Sequence, residues 1–371
     1  MRFTAERDAL LKACQLAGAP IKRSHIPIYD HLLIRASDTH LTIQGASMEV
    51  TSAARCAASA PEAGASSAIA ADLLKWLQAC PVGCLIEAEG DGKQLSLSGG
   101  RLKATFPAFP QGDFPVMPKS EASEVVGGLE AIIECLPFVT HTEARPNLNG
   151  IHFDETGAMA AAVINGNAAS TIYYDGPSAN NATIPLESCQ VIAKAGKAGG
   201  RLFVGETRWR FEAEGLHITG PLLGLDFPPA RRLIGESLAS CLVDADSLLS
   251  AIDAVTISGG SRVRFDCGEA LTLSGDGFLS GVQTATAAMP CDTITPFRQC
   301  FSAEVIRKAL SPFSGRVVTF GLHPKFGHWQ LTAEGAPLVL AGDFNDWRHR
   351  VGDPLRDLGV EEVFETMKGR P

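Results

Sequence analysis

The sequence predicts an α+β fold assembled from three similar units. Three observations predict it: a corner motif written three times, six short amphipathic segments, and ribbons of alternating residues between them. The corner reads QGDFPVM at 111–117, GLDFPPA at 224–230 and AGDFNDW at 341–347, and each copy follows a strand-like apolar run. Its phenylalanines, Phe114, Phe227 and Phe344, are spaced at nearly equal intervals. Intervals of that length mark repeated domains rather than a short solenoid repeat. The 371 residues divide accordingly into domains at 1–120, 121–238 and 239–344, with 345–371 as a C-terminal extension.

Each unit opens on one amphipathic segment and carries a second after a hairpin-rich stretch. The openers are AERDALLKACQLAG from Ala5, VGGLEAIIECLPF from Val126 and DADSLLSAIDAV from Asp244. The second segments are ADLLKWLQAC from Ala71, PLESCQVIAKAGK from Pro185 and SAEVIRKAL from Ser302. In the first, Leu10, Cys14 and Ala17 recur at helical spacing while Asp8, Lys12 and Gln15 fall on another face. Glu187, Gln190, Lys194 and Lys197 repeat the polar stripe in the fourth segment in chain order; Pro185 starts that helix and Gly199-Gly200 stops it.

Between the helices, HLTIQGASMEVTSAAR, GKQLSLSGGRLKATF, RLFVGETRWRFEAEGLHITG and VVTFGLHPKFGHWQLTAEGAPLVLA alternate apolar and polar residues across glycine-containing turns. That period of two is the mark of antiparallel ribbons. Two helices to each set of strands define the α+β class, and six similar half-units suggest a curved or closed arrangement.

Composition sets bounds. With 45% hydrophobic and 20% charged residues the chain has ample core material. No apolar stretch is long enough to cross a bilayer, and MRFTAERDALLKA places charges where a signal peptide needs an apolar core, so the expectation is a cytoplasmic protein with no membrane partner. The ten cysteines form no framework, and Cys80 and Cys84 have the wrong spacing for a zinc or redox pair, which reads as reduced, mostly buried thiols. No phosphate loop, GxGxxG, GxSxG or HExxH occurs, and the nine histidines do not gather with carboxylates. The expectation is a non-enzyme with no catalytic residues, metal or cofactor.

MRFTAERDALLKACQLAGAP and IPIYDHLLIRASDTHLTIQGASMEV near the start, RPNLNGIHFD at 145–154 and FPPARRLI at 227–234 together resemble, in order over residues 1–344, the bacterial replicative sliding clamp, the beta subunit of DNA polymerase III. The resemblance implies a divergent member with three clamp domains, each with two helices packed on antiparallel sheets. A pair of such chains would form a head-to-tail homodimeric ring around duplex DNA, helices inside. Implied partners are duplex DNA held topologically, DNA polymerase, the clamp loader and other proteins carrying the clamp-binding peptide. The alternative is a clamp-fold scaffold or decoy that binds partners without encircling DNA. A formal net charge of −9 fits a ring that encloses rather than grips phosphates.

By the same resemblance, DNA contacts fall to Lys12, Lys75, Lys194, Lys197, Arg307 and Lys308 on helices, with Arg23 and Arg145 on loops. Glu130, Glu134, Asp246 and Asp253 make that lining patchy. The peptide pocket would use Leu148, Ile164, Gly166, Asn167, Pro228, Arg232, Leu233, Leu338 and Leu340. Where the family has Thr-Asp-Gly-His-Arg-Leu, this chain has residues 164–169 as Ile-Asn-Gly-Asn-Ala-Ala, which loses a cation and a large aliphatic group and implies altered partner choice. The dimer seam would join Phe106 to Val255 and Ile257, with small Ala104 and Thr256 beside it. The tail after Phe344 places Leu355, Leu358, Val360, Val363 and Phe364 behind Pro354, either as a short amphipathic helix or as a loosely docked terminus.

Overall fold

All six amphipathic segments are helices, and the strands between them repeat in one order three times. The structure is a computed structural model that describes residues 1–22, 24–119, 121–164, 168–235, 239–257, 260–276, 284–293, 297–322 and 329–343. The first pass runs β1 (Arg2–Glu6), α1 (Arg7–Ala17), β2 (His31–Ser37), β3 (His40–Ala46), β4 (Thr51–Ala57), β5 (Ser59–Glu62) and β6 (Gly64–Ile69). It ends with α2 (Ala70–Ala79), β7 (Leu85–Gly90), β8 (Gln94–Gly99) and β9 (Leu102–Pro107). The second runs β10 (Ser123–Val125), α3 (Gly128–Cys135), β11 (Gly150–Phe153), β12 (Gly157–Ile164), β13 (Ala168–Asp175) and β14 (Ala182–Pro185). Then follow α4 (Leu186–Ala195), β15 (Arg201–Val204), β16 (Arg208–Ala213) and β17 (Leu216–Pro221). The third runs β18 (Ala239–Asp244), α5 (Ala245–Val255), β19 (Arg262–Cys267), β20 (Leu271–Asp276), β21 (Thr284–Met289), β22 (Asp292–Thr293) and β23 (Phe297–Ser302). It closes with α6 (Ala303–Leu310), β24 (Val317–Leu322), β25 (Trp329–Thr332) and β26 (Leu338–Asp343).

Packing divides the chain differently from the repeat. One compact unit comprises Met1–Ile133 and Pro177–Gly224, the other Glu134–Gly176 and Leu225–Pro371, so the line passes through the second pass. The cause lies in the strands. In the first unit β17 pairs antiparallel with β4, Leu216 opposite Ala54 and Thr219 opposite Thr51, which joins two passes into the sheet β10-β15-β16-β17-β4-β3-β2-β6. A second sheet there has the order β5-β1-β7-β8-β9. In the second unit β13 pairs with β26, giving the run β11-β12-β13-β26-β25-β24-β18-β22 beside the sheet β21-β20-β19-β23.

The helices sit where their apolar stripes dictate. Leu10, Cys14 and Ala17 of α1 are fully buried. The helix end approaches β3 closely, because a Cβ on Gly45 would lie 2.2 Å from the carbonyl oxygen of Ala17, and Ser52 donates a hydrogen bond to that same oxygen. The third pass repeats the device: a Cβ on Gly275 of β20 would lie 2.1 Å from the carbonyl oxygen of Val255 at the end of α5. A glycine on the strand is what lets a helix terminus rest on the sheet. Asp244 caps α5 by accepting the Ser247 N–H at 2.8 Å. Helix α4 starts after Pro185 and gives way to a 3-10 turn ending at Gly199, as its sequence predicts. None of the ten cysteines is joined in a disulfide, and Cys14, Cys80, Cys135, Cys189, Cys241 and Cys267 are buried. Among the described residues no helix is long and apolar enough to cross a membrane.

Candidate functional site

Strand alternation in the second unit builds an apolar surface. Met159 of β12 lies opposite Tyr173 of β13, which lies opposite Leu338 of β26; one row on, Thr171 lies opposite Leu340. Directly paired residues share a sheet face. Met159, Tyr173 and Leu340 form its buried centre, and Phe227, Ala230, Leu233, Ile234 and Leu338 pack against it while remaining half-buried.

The segment FPPARRLI supplies the outer layer. Its prolines and a 3-10 turn at Ala230–Leu233 give it a fixed course, with the Ala230 N–H bonded to the Pro228 carbonyl at 2.7 Å and the Ile234 N–H to the Arg231 carbonyl at 3.1 Å. Phe227 stacks on His152 with ring centroids 4.8 Å apart. The Tyr173 hydroxyl donates to the Ala230 carbonyl at 2.8 Å, and burial pushes the pKa of this phenol up. Arg231 pairs with Asp154 at 2.6 Å through Nε and with Asp175 at 3.3 Å through Nη1. Burial raises the pKa of Asp154, but hydrogen bonds from Arg231 and Thr156 outweigh it and hold the carboxyl below its ordinary value.

Of the residues expected at a peptide pocket, the structure brings Leu233, Leu338 and Leu340 together on this surface. Pro228 and Arg232 are exposed on the turn, and Leu148 is buried at the end of the 3-10 turn Pro146–Leu148. Ile164 instead lines a cavity of about 480 Å³ with Thr140, Glu304, Arg307, Lys308 and Ser311. Gly166 and Asn167 lie outside the described residues, as do Phe344 and the tail. The sequence reading missed Met159, Tyr173, Ala230 and Ile234: β12 is apolar throughout and buried on both faces, so no alternation marks Met159, and the available signal for Ala230 and Ile234 was the segment FPPARRLI itself.

Lys12 on α1, Lys75 on α2, Lys194 on α4 and Lys197 just beyond it are exposed, as is Arg145 at the start of a 3-10 turn. Arg23 lies outside the described residues. The two cations of α6 are engaged. Arg307 pairs with Asp253 of α5 at 2.8 Å and donates to Thr256 Oγ1. Lys308 lies over the Phe138 ring at 5.4 Å, and burial lowers its pKa. Of the acidic residues, Asp246 caps a loop by accepting the Gly315 N–H at 2.8 Å, and Glu130 and Glu134 are exposed.

Val255 corrects one expectation. It is fully buried beneath Gly275 in the core of its own unit, so it offers no surface to a second chain. Ile257, 81% exposed, does. Phe106 is buried on β9, the terminal strand of its sheet.

Residues 1–118 match the family model described as DNA polymerase III beta subunit, N-terminal domain. The chain is similar to the beta sliding clamp of Proteus mirabilis, 25% identical over 280 residues that cover 71% of this chain and 76% of that protein. It is 30% identical to the beta sliding clamp of Escherichia coli K12 over 164 residues, which span 42% of this chain and less than half, 45%, of the relative. Among solved structures, Caulobacter crescentus pol III beta superposes with a TM-score of 0.82 at 22% identity, covering 92% of this chain and 99% of that one. A Bartonella birtlesii sliding clamp bound to griselimycin superposes at 0.80 with 18% identity, covering 92% and 98%.

Proposed function

We propose that this chain, which belongs to the bacterial DNA polymerase III beta sliding-clamp family, encircles duplex DNA as a head-to-tail homodimer and tethers a DNA polymerase to its template. The family's members are non-catalytic processivity factors. The observation that carries the reading is the thrice-repeated order of strand, helix, strands, helix and three strands, with β17 on β4 and β13 on β26 running the sheets across successive passes. Three clamp domains, divided at 120 and 238, supply half of a ring, and two-fold closure would cover the open strand edge at β9. The exposed Ile257 and the edge of β9, the strand that carries the buried Phe106, belong to that seam.

In this reading the exposed Lys12, Lys75, Lys194, Lys197 and Arg145 face phosphates loosely, while the paired Arg307 is held back from them. Weak contact suits sliding, since affinity from neutralised phosphates grows with each cation engaged. The surface around Tyr173 and Leu340 receives a hydrophobic peptide from the polymerase, the clamp loader and other partners; the griselimycin complex of the Bartonella relative supports a ligand site on this fold. The test is loading onto nicked circular DNA by a clamp loader, read by gel filtration. Retention on the circle and release on linearisation are expected; retention that ignores linearisation would remove the ring and leave a scaffold.

A further inference from the structure

We infer that Arg231 is a positioning residue for peptide binding: its ion pairs fix the turn that carries Leu233 and Ile234 into the apolar surface, and so set which side chain that surface accepts. The inference rests on the peptide-docking reading above and deepens it. Its starting point is Asp154, at the turn between β11 and β12. One carboxylate oxygen of Asp154 accepts from the Thr156 N–H at 2.8 Å, the Thr156 hydroxyl at 2.7 Å and the Gly157 N–H at 3.0 Å. Those bonds lock the carboxylate to its hairpin before any partner arrives. The other oxygen takes the Arg231 Nε at 2.6 Å.

Arg231 sits in the middle of the 3-10 turn Ala230–Leu233. Its guanidinium is 5.7 Å from the centroid of the Tyr173 ring, and the Tyr173 hydroxyl holds the neighbouring Ala230 carbonyl at 2.8 Å. One turn is thus pinned twice, by an ion pair to the β11–β12 hairpin and by a phenol from β13. Leu233 and Ile234 are only partly buried, so the two pins add to the hold that their packing provides. The second pin also consumes the Tyr173 hydroxyl, so the floor of the surface presents an aromatic ring and aliphatic carbons there. The class of anchor this selects is an aliphatic side chain, and a turn fixed in advance spares the cost of ordering it on binding.

The experiment titrates a fluorescein-labelled hexapeptide carrying one Gln and two Leu residues, and its variant with both Leu replaced by Ala, against full-length wild type, Arg231→Met, Arg231→Lys and Asp154→Asn at a temperature well below every Tm. Arg231→Met should weaken the Leu peptide by roughly tenfold, chiefly through slower association, and reduce the Leu-over-Ala preference. Arg231→Lys should recover part of the loss, since it keeps the charge without the fork. A merely structural role would lower Tm and leave affinity and preference unchanged, which overturns the inference while the docking reading stands. Should Arg231→Met not fold, the same criteria apply to Asp154→Asn, which keeps the side-chain shape. Wild type that binds neither peptide overturns the docking reading itself and the inference with it.

Discussion

The first and second corners share a motif and use it differently. In the first unit Phe114 is buried at 7% exposure, and its corner is closed by neutral hydrogen bonds: Gln44 Nε2 to the Pro115 carbonyl at 2.5 Å and the Phe109 N–H to Ser67 Oγ at 2.8 Å. In the second unit Phe227 is only half-buried, and its corner is held by the Arg231 ion pairs and the Tyr173 phenol. A neutral hydrogen bond contributes about 1 kcal/mol and a charge-assisted one about twice that. The stronger bonds stand where burial is weaker. One corner therefore finishes a core, while the other keeps apolar groups at the surface in a set geometry, as the proposed peptide docking would require.

The largest test of that contrast is to truncate both phenylalanines. Phe114→Ala should cost roughly 3–5 kcal/mol of unfolding free energy, and Phe227→Ala distinctly less, because it removes less buried area and leaves a smaller cavity. Urea denaturation measures both. Equal losses would mean that the second corner is core as well, and the contrast would fail.

Next in size is the bonding. Removing the Arg231–Asp154 pair by Arg231→Met should cost about 1.5–3 kcal/mol, whereas Gln44→Ala should cost roughly 1 kcal/mol. Both ionic side chains are less than one-quarter exposed, so solvent screening discounts the pair only modestly; Asp175, at 81% side-chain exposure, adds little. If Arg231→Met proved the milder change in thermal denaturation, the ionic latch would be ornamental.

A smaller effect, common to both corners, sharpens the comparison by pH. His31 meets Phe109 edge-on at 4.7 Å and His152 stacks on Phe227, and burial lowers the pKa of each. Asp30 opposes the shift at His31. At His152 Asp154 opposes it and Arg231 reinforces it. The unfolded chain then binds protons that the folded chain refuses, so stability should decline as pH falls through about 6.5. His31→Gln and His152→Gln should each flatten that decline. Asp154 works in a lower window: its depressed folded pKa stabilises above about 3.9, and that contribution is lost as pH falls further, a slope Asp154→Asn should reduce.

Much of this architecture is legible in the sequence, and the reasons are local. Leu10, Cys14 and Ala17 announce a buried helical stripe because helix period and burial coincide within three turns. Leu233, Leu338 and Leu340 are legible through the family resemblance. What is not legible is the set of contacts closed over long separations. Arg231 and Asp154 are 77 residues apart, and Arg307 and Asp253 are 54 apart, so each reads as a free surface charge until the strands and helices are in place. Val255 fails for another reason: the last apolar residue of an amphipathic helix looks the same whether it meets a partner or its own sheet, and Gly275, which decides the matter, lies 20 residues on.

The smallest expected effect comes from an ion pair with good geometry and the wrong surroundings. Lys22 and Glu187, in the first unit, approach to 2.9 Å, close to the separation of Arg231 and Asp154, but their side chains are 59% and 58% exposed. Water solvates both groups whether or not they pair, and the two flexible side chains lose rotamer freedom when they do. Glu187→Gln should therefore change stability by roughly 0–1 kcal/mol, and added salt should erase most of what there is. Measured beside Arg231→Met in the same denaturant series at low and high ionic strength, it isolates the cause of the difference. If the two substitutions lost stability equally and with the same salt dependence, distance alone would govern these pairs. A salt-sensitive, near-zero loss for Glu187→Gln against a larger, salt-resistant loss for Arg231→Met would trace the strength of the second corner to the partial burial of its charges.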